Sequence, residues 1–375
     1  MNIRKLTAFV ALTCVTASAS AEVTINGFAS IKAGMAGSGD TLYGYTDEID
    51  FKNESLFALQ VQSDLGDKLS VTAQLMGRGA NDFKAEFEWA FLTYQINDSW
   101  RLNAGRLRTP FYKYSDFRDV GYAYDWLRTP QSVYDLGFDT VEGISLYHNT
   151  ALGDFQSNLQ LIFGAYDGET TVQGRLAPAQ IDQVTGASWE LSKDWIALRI
   201  AYLYGDISIQ SPQLDALLNP LKGIGLNSIA QAIDFNEDKG TFFGLGLNID
   251  RNDWLLVAEY TQVEVEKSFY ADQDSYYLSL GRRFDAYTPF ISYEKDDDTA
   301  KTAIPAAIPT AVPAQLRTAV NGLIQTQLFD NTTWNLGLRY DFHPSAAFKV
   351  QYSWADDQTR NKKDNLLSMG VDLVF

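Results

Sequence analysis

The sequence of 375 residues is poor in the side chains that metal sites and many catalytic sites need. It contains one cysteine and two histidines, Cys14, His148 and His343. Zinc, haem and cysteine-nucleophile sites depend on these residue types, so the composition argues against all three. Basic residues are also scarce, 30 against 47 acidic residues, and the net charge is −17. Because nucleic-acid binding needs clustered Lys and Arg, we expect no nucleic-acid partner.

Long apolar runs are missing too, and their absence after residue 21 excludes a helical membrane protein. Residues 1–21 have the three parts of a secretory signal peptide. These are the basic Arg4 and Lys5, the apolar run from Leu6 to Val15, and the small residues around Ser20. We therefore expect cleavage before Glu22, an exported protein, and one mature domain at 22–375 that contains no cysteine. Without disulfides, such a domain needs a large core or a membrane for stability.

The dominant pattern in the rest of the chain is alternation of apolar and polar residues with period two. At the C-terminus Leu367, Met369, Val371, Leu373 and Phe375 alternate with Ser368, Gly370 and Asp372. Each such strand has one apolar and one polar face. The apolar face points inward in a soluble sandwich and outward, toward lipid, in a membrane barrel.

The connections between the strands distinguish these two folds. Seven short polar turns, such as Asn97–Ser99 and His343–Ser345, alternate with eight longer segments, such as 109–139, 205–239 and 295–330. Short turns on one rim and long loops on the other are typical of outer-membrane barrels. The pattern predicts sixteen antiparallel strands near 22–37, 54–65, 68–78, 83–96, 100–108, 139–149, 155–166, 180–191, 195–205, 240–249, 254–266, 274–284, 287–294, 331–342, 347–354 and 364–375.

Aromatic residues support a barrel in a membrane. The strand after a short turn usually opens with an aromatic side chain: Trp100, Phe155, Trp195, Trp254, Tyr287 and Phe348. Such rings prefer the headgroup level of a bilayer. The sequence therefore predicts an all-β, transmembrane, up-and-down barrel in which the last strand pairs with the first, since a bare sheet edge is not tolerated in lipid. The two histidines are expected on opposite rims, too far apart to share a site.

This layout resembles the 16-stranded Gram-negative outer-membrane porins over the whole mature chain. The features that carry the resemblance are the signal peptide, the first strand Val23–Phe28, Gly105-Arg106 before a long third loop, and the terminal stretch Val371–Phe375. The resemblance implies a homotrimer of barrels, each with a water-filled pore that the third loop narrows from inside. It implies no cofactor and no enzyme activity. It also implies contacts with outer-membrane lipids and lipopolysaccharide, and with the barrel-insertion machinery through Phe375. The third loop lacks the Pro-Glu-Phe-Gly-Gly stretch of the enteric members, so the resemblance leaves the constriction undefined.

Charged residues that alternation directs toward the lumen are the candidates for controlling permeation. The predicted pore-wall charges are balanced in sign: Lys32, Lys84, Arg199, Arg283, Arg339 and Lys349 against Glu86, Glu88, Glu259, Glu294, Asp341 and Asp372. The constriction loop adds Lys113, Arg118 and Arg128, and Asp116, Asp119, Asp125 and Asp135. Opposite signs on opposite sides of the opening would create a transverse field.

The predicted function is passive diffusion of ions and small hydrophilic solutes. One alternative is a substrate-selective channel that binds a sugar, a phosphate or an organic acid at the third loop. A less favoured one is a barrel enzyme or adhesin. The aromatic residues of the third loop fit either a stacking surface for sugars or a local core against the wall. The long segments at 206–239 and 295–330 have helical patterns and are either a lid or a structural cover.

Overall fold

The computed structural model describes residues 22–39, 41–172 and 175–375, so the expected signal peptide lies outside the described residues. Within them, sixteen antiparallel strands form one closed barrel in which each strand pairs with its sequence neighbours. The strands are β1 Val23–Ala36, β2 Leu56–Gly66, β3 Leu69–Arg78, β4 Ala85–Gln95, β5 Trp100–Arg108, β6 Thr140–Leu152, β7 Phe155–Val172, β8 Arg175–Lys193, β9 Ile196–Ile209, β10 Asp238–Arg251, β11 Trp254–Val265, β12 Asp272–Arg282, β13 Tyr287–Thr299, β14 Asp330–His343, β15 Ala346–Asp357 and β16 Lys362–Val374. The predicted strand number and topology are confirmed.

The two ends of the described chain close the barrel. β16 pairs with β1 from Val374 opposite Phe28 to Leu366 opposite Ala36. Beyond this ladder, Gly27 and Phe375 exchange two backbone hydrogen bonds of 2.7 and 2.9 Å. Closure gives each edge strand a partner, as the hydrocarbon environment requires.

The apolar residues of the strands face outward. On β12, Tyr276, Leu278 and Leu280 are exposed on the outer surface, whereas Ser275 and Ser279 are buried inside. The reversed polarity is that of a membrane barrel, because the exposed apolar band can be covered by lipid and the polar face lines the interior.

The connections differ most from the expectation at one hairpin. β7 extends to Val172 and β8 begins at Arg175, whereas the sequence predicted a longer connection between 166 and 180. The extension is stabilised because Ala177 on β8 is buried among the loop helices described next. The long loops after β5, β9 and β13 are in the predicted order, but β9 and β13 run to Ile209 and Thr299, past the predicted ends at 205 and 294, so the loops after them are shorter than expected.

Four short helices lie in the loops after β9 and β13: α1 Pro212–Gly223, α2 Asn227–Gln231, α3 Ala303–Ala306 and α4 Ala314–Gln325. Leu218 and Leu221 of α1 pack with Val320, Leu323 and Ile324 of α4 in one buried apolar cluster. The two loops therefore form a single packed cap over one side of the long-loop rim. In the described part of the chain, no helix is long and apolar enough to cross a membrane.

The short-turn rim carries the predicted aromatic residues. Trp195, Trp254 and Tyr287 are exposed on the outer surface there. His148 stacks on Trp100 with ring centroids 4.2 Å apart, which places it near this rim as well. The expectation that the two histidines occupy opposite rims is therefore wrong, because β6 runs toward a short turn. His148 and His343 lie on β6 and β14, which are not neighbours in the barrel.

Candidate functional site

The loop between β5 and β6, residues 109–139 and here called L3, folds into the barrel. Its rings form a core with the inner wall, because a chain segment inside a wide barrel must bury its own apolar groups. Six of its aromatic side chains are buried in one cluster with wall residues such as Phe242 and Tyr277: Phe111, Tyr112, Tyr114, Tyr124, Trp126 and Tyr134. Packing therefore accounts for most of the aromatic content of L3.

The start of L3 is anchored to β9 and β11. The guanidinium of Arg199 donates hydrogen bonds of 2.6 and 2.8 Å to the carbonyl oxygens of Pro110 and Phe111. The buried carboxylate of Glu259 accepts a hydrogen bond of 2.8 Å from the backbone N–H of Lys113 and another from the Tyr134 hydroxyl. Both wall charges are thus engaged in holding L3.

The middle of L3 is anchored to β14, β15 and β16. The fully buried Lys349 donates to three L3 carbonyl oxygens, those of Gly121, Tyr124 and Trp126, at 2.6, 2.6 and 2.8 Å. Its ammonium also pairs with Asp372 at 2.9 Å. Arg339 donates hydrogen bonds of 2.8 and 2.9 Å to the carbonyl oxygens of Tyr122 and Tyr124.

Gly121 is required for this close approach. A Cβ atom at this position would lie 2.2 Å from Oδ1 of Asp372. The Asp372 carboxylate cannot easily move away, because it also accepts a hydrogen bond of 2.5 Å from Ser30. Only glycine lets the L3 backbone come this near the wall.

A third anchor joins L3 to β3, β4 and β5. Asp119 pairs with Arg78 at 3.2 Å and with Arg108 at 2.8 Å, and Arg108 also pairs with Glu88 at 2.9 Å and with Asp139. Burial of Asp119 opposes its ionisation, but the two guanidinium groups outweigh that effect and hold the pKa of its carboxyl well below the usual range. The network is therefore charged and rigid.

The stretch 126–132 of L3 crosses to the β12–β16 wall. The Trp126 indole donates to Ser279 at 2.9 Å, and the backbone N–H of Leu127 donates to Gln351 at 3.1 Å. Arg128 forms a bidentate ion pair with Glu54 at 2.9 and 2.8 Å and donates to Ser368 at 2.9 Å. L3 consequently contacts the wall on three sides and divides the lumen.

Three polar cavities border L3. The loop-side chamber, about 320 Å³, is lined by six acidic residues, Asp135, Glu294, Asp296, Asp298, Asp357 and Asp364, and by Arg360 and Lys362. The turn-side chamber, about 410 Å³, has Asp125, Asp250 and Asp341 with Arg283 and Arg339. The turn-side pocket, about 330 Å³, has Arg101, Lys113 and Arg199 with Asp116 and Glu190. In the described residues no group of His, Cys, Asp and Glu is arranged to hold a metal ion.

The predicted site residues fall into three groups. Most wall charges lie on the inner face, including Lys32, Glu88, Arg199, Glu259, Glu294, Arg339, Asp341, Lys349 and Asp372. Glu86 is opposite the inward Met76 and is exposed. Two expectations need correction. Lys84 is exposed in the loop before β4, because the strand begins only at Ala85. Arg283 lies just past the end of β12 and still lines the turn-side chamber, so only its place in a strand is corrected.

Most of the predicted charges of L3 pair with wall residues or with the end of L3, and not with one another. Asp119 and Arg128 are paired as described, Asp125 lies 3.8 Å from Arg339, and Arg118 pairs with Asp139 at 3.1 Å. Because most of these charges are paired, they contribute little to the transverse field that the sequence predicted. Sequence reasoning missed Glu54, Arg78, Arg101, Arg108 and Glu190. The inward parity of the polar face of β3 could have identified Arg78, since it follows Thr72, Gln74 and Met76 at steps of two.

Comparison with known proteins assigns the family. Residues 6–372 match the family model described as Gram-negative porin. A search of curated protein sequences gives no match.

Solved structures share the fold. An anion-selective porin from Comamonas acidovorans is 12% identical, with 95% of this chain and 100% of that chain covered and a TM-score of 0.57. OmpF of Salmonella typhi, in complex with daunomycin, is 14% identical over 94% and 97%, with a TM-score of 0.57. The outer membrane channel DcaP of Acinetobacter baumannii is 14% identical over 96% and 98%, with a TM-score of 0.58. The sixteen-stranded barrel, the inward L3 and the match over nearly the whole chain agree, and the chain belongs to the Gram-negative porin family, a channel for passive diffusion across the outer membrane.

Proposed function

We propose that this porin passes ions and small hydrophilic solutes with a preference for cations over anions. The carrying observation is the loop-side chamber, where six acidic residues face two basic ones. Two of these carboxylates have neutral hydrogen-bond donors and, among the residues that the structure describes, no ion pair: Glu294 accepts from Asn335 at 2.7 Å, and Asp298 accepts from the N–H of Phe329 at 3.0 Å. Their negative charge is thus only partly compensated.

The physical basis is the electrostatic potential inside a narrow, water-filled mouth whose protein walls have a low dielectric constant. A cluster of like charge raises the local concentration of counter-ions and repels co-ions. The wall cations Lys349 and Arg339 contribute less, because each is paired with a carboxylate, Asp372 and Asp341 respectively. The selectivity of this porin therefore depends on its loop-side mouth.

The reversal potential of the purified channel in a planar bilayer tests this proposal. Under a tenfold KCl gradient, we expect the sign that corresponds to excess potassium permeation. The triple variant D135N/D296N/D298N should move the reversal potential toward zero. D98N, in the exposed turn between β4 and β5, is the matched control and should leave it unchanged. Chloride preference in the unmodified channel would refute the proposal.

A substrate-selective channel is the second candidate, and one observation favours it. Among the described residues, the turn-side pocket contains charged and amide side chains, such as Arg101 and Asp116, that form neither an ion pair nor a hydrogen bond. Saturable binding of one solute class would distinguish this function from unspecific diffusion. We propose a channel and no catalytic function, and the support is the match to the Gram-negative porin family.

We further propose a homotrimer in the outer membrane, exported through the signal peptide 1–21, with one mature domain at 22–375. The support for a trimer is the family and a related fold, OmpT of Vibrio cholerae, which was solved in a trimer form and has 12% identity and a TM-score of 0.53. Lipids and lipopolysaccharide would contact the outer apolar band, and the insertion machinery would bind Phe375. Mass spectrometry of the purified protein should give Glu22 as the first residue, and a different N-terminus would contradict the cleavage site.

A further inference from the structure

The turn-side pocket lies beneath the start of L3, against β5 to β9. It has a volume of about 330 Å³ and is lined mainly by polar side chains. Arg101 projects into it from β5, and Asp116 from L3. Asn149 on β6 and Asn158 on β7 face it from the wall. The pocket lies apart from the acid-rich loop-side chamber and shares with it only the ring of Tyr112.

Arg101 is held in one orientation but forms no ion pair among the residues that the structure describes. Its guanidinium stacks over the Tyr147 ring, 4.4 Å from the centroid, and this contact fixes its direction. Its Nε is buried and has no hydrogen-bond partner among the residues that the structure describes. Within the same residues, no carboxylate lies within the 4.0 Å of an ion pair. A buried donor without a partner is costly, which favours a bound group that accepts from it.

Asp116 is the acidic residue of the same pocket that complements the charge of Arg101. In the described part of the chain its carboxylate has neither an ion pair nor a hydrogen bond, and it is exposed toward the pocket. The side chain opens to the pocket, but the surrounding protein partly desolvates the carboxylate and raises the pKa of Asp116, while the positive charges of Arg199, Arg108 and Arg101 oppose the rise. Arg101 and Asp116 are therefore close enough to interact electrostatically without touching.

The remaining charges of the pocket are already engaged. Arg199 donates to the carbonyl oxygens of Pro110 and Phe111. Lys113 lies 3.7 Å from Glu190, so these two charges largely compensate each other. Arg199 keeps its positive charge, but its guanidinium is occupied by the L3 carbonyl oxygens. Among the described residues, Arg101 and Asp116 are the two charged groups of the pocket whose side chains form neither an ion pair nor a hydrogen bond. The side chains of Asn149 and Asn158, which have no hydrogen-bond partners among the described residues, provide neutral donors and acceptors between them.

We propose that the turn-side pocket binds a small zwitterion, a solute with one carboxylate and one ammonium group. The carboxylate binds Arg101, the ammonium binds Asp116, and the amides of Asn149 and Asn158 contact the rest of the solute. Bidentate recognition of a carboxylate is what the planar guanidinium provides. The inference deepens the proposed function, since its importance for transport rests on the diffusion channel.

Four probes with the same three-carbon skeleton test the charge pattern. They are serine, a zwitterion; glycerate, an anion; 3-aminopropane-1,2-diol, a cation; and glycerol, which is neutral. Binding is measured by saturation-transfer NMR on the purified full-length channel in detergent, which requires no conduction. We expect serine to bind more tightly than the other three.

Two variants test the roles of Arg101 and Asp116 separately. R101Q should weaken binding of serine and glycerate about tenfold, the effect of losing a charged hydrogen bond, and leave the cationic probe unaffected. D116N should weaken serine and the cationic probe and leave glycerate unaffected or tighter. R251Q is the matched control, because Arg251 lies at the same rim, over the outer-surface ring of Trp195 at 4.8 Å, and should change nothing. R101K should restore part of the serine binding and shows that loss in R101Q is not misfolding.

The outcomes are distinct. Equal affinity for the four probes, serine binding unchanged in both variants, or glycerate binding as tightly as serine would overturn the zwitterion site. If R101Q weakens only serine and glycerate and D116N weakens only serine and the cationic probe, but the protein conducts no ions, the pocket is supported and the proposed channel function is refuted. If the protein conducts with cation preference but the two variants do not show these separate effects, the channel function is supported and the zwitterion site is refuted.

Discussion

The contact between Lys349 and L3 gives the sharpest prediction about how the constriction is held. The substitution Lys349→Met removes three hydrogen bonds to L3 carbonyl oxygens and the partner of Asp372, all in a fully buried position. Breaking a buried ion pair on one side costs about 3–5 kcal/mol, because the other charge remains unpaired. Ser30 still donates to Asp372. The backbone ladders of β15 with its neighbours are untouched, so the barrel should form while L3 loosens.

Two measurements report these effects separately. Unfolding by guanidinium in lipid vesicles gives the change in the free energy of unfolding, for which we expect a loss of about 3–5 kcal/mol. Single-channel recording gives the behaviour of L3, for which we expect larger current fluctuations and a higher mean conductance. The exposed pair Lys193–Asp154, at 2.6 Å, is the control. Lys193→Met should change stability by no more than about 1 kcal/mol and leave the current quiet.

The double variant K349M/D372N tests the physical cause. Without the buried carboxylate, the main penalty of K349M disappears, so the double variant should be more stable than K349M alone. Its L3 carbonyl oxygens still lack their donor, so the current fluctuations should persist. If K349M matches the unmodified channel in both stability and current noise, or if D372N restores nothing, the anchoring argument is wrong.

Three further predictions follow from other contacts. Desolvation in the loop-side chamber raises the pKa of Asp135 to about 6, so cation preference should fall as pH decreases from 8 to 5, and D135N should flatten that step in reversal-potential titrations. Gly121→Ala should destabilise the barrel by about 1–3 kcal/mol in unfolding measurements, because its Cβ collides with Asp372, and should reproduce the current noise of K349M. Phe375→Asp should reduce the amount of protein found in the outer-membrane fraction, because a charge replaces the exposed ring that stacks on Phe57; normal levels would contradict this role.

The fold was predictable because membrane strands repeat one rule. Alternation with period two identified each strand, and the turns between them predicted the closed order. The error at β7 and β8 arose where strands continue past the membrane. There the side chains of Ala177 and Ala179 are buried, and the helices that pack around Ala177 come from loops far along the chain. The alternation of residues within β7 and β8 does not show that helices from distant loops pack against this hairpin.

The site was less predictable, for a reason of sequence distance. Alternation correctly directs Lys349 and Arg339 inward, yet their partners are backbone carbonyl oxygens of L3 more than 200 residues away. A carbonyl oxygen has no sequence signature. The path of L3, and with it the roles of Arg78 and Arg108, emerges only when the loop packs its own aromatic residues against the wall.

This division of roles explains why counting wall charges cannot predict selectivity. The sequence gives six inward charges of each sign, which suggests a neutral channel, but a cation bound to three carbonyl oxygens differs electrostatically from a free one. Lys349 and Arg339 are paired with the carboxylates of Asp372 and Asp341, and so contribute little to the field that an ion meets. The groups left to act on solutes are those without a charged partner, such as Asp298 at the loop side and Arg101 and Asp116 at the turn side. Because the first belongs to an acidic mouth and the other two to a pocket of mixed charge, a permeating solute meets different electrostatic requirements at the two ends of the channel. A zwitterion satisfies both, since its ammonium group is favoured at the mouth and its carboxylate at Arg101, whereas a simple anion is repelled before it reaches the pocket from the loop side.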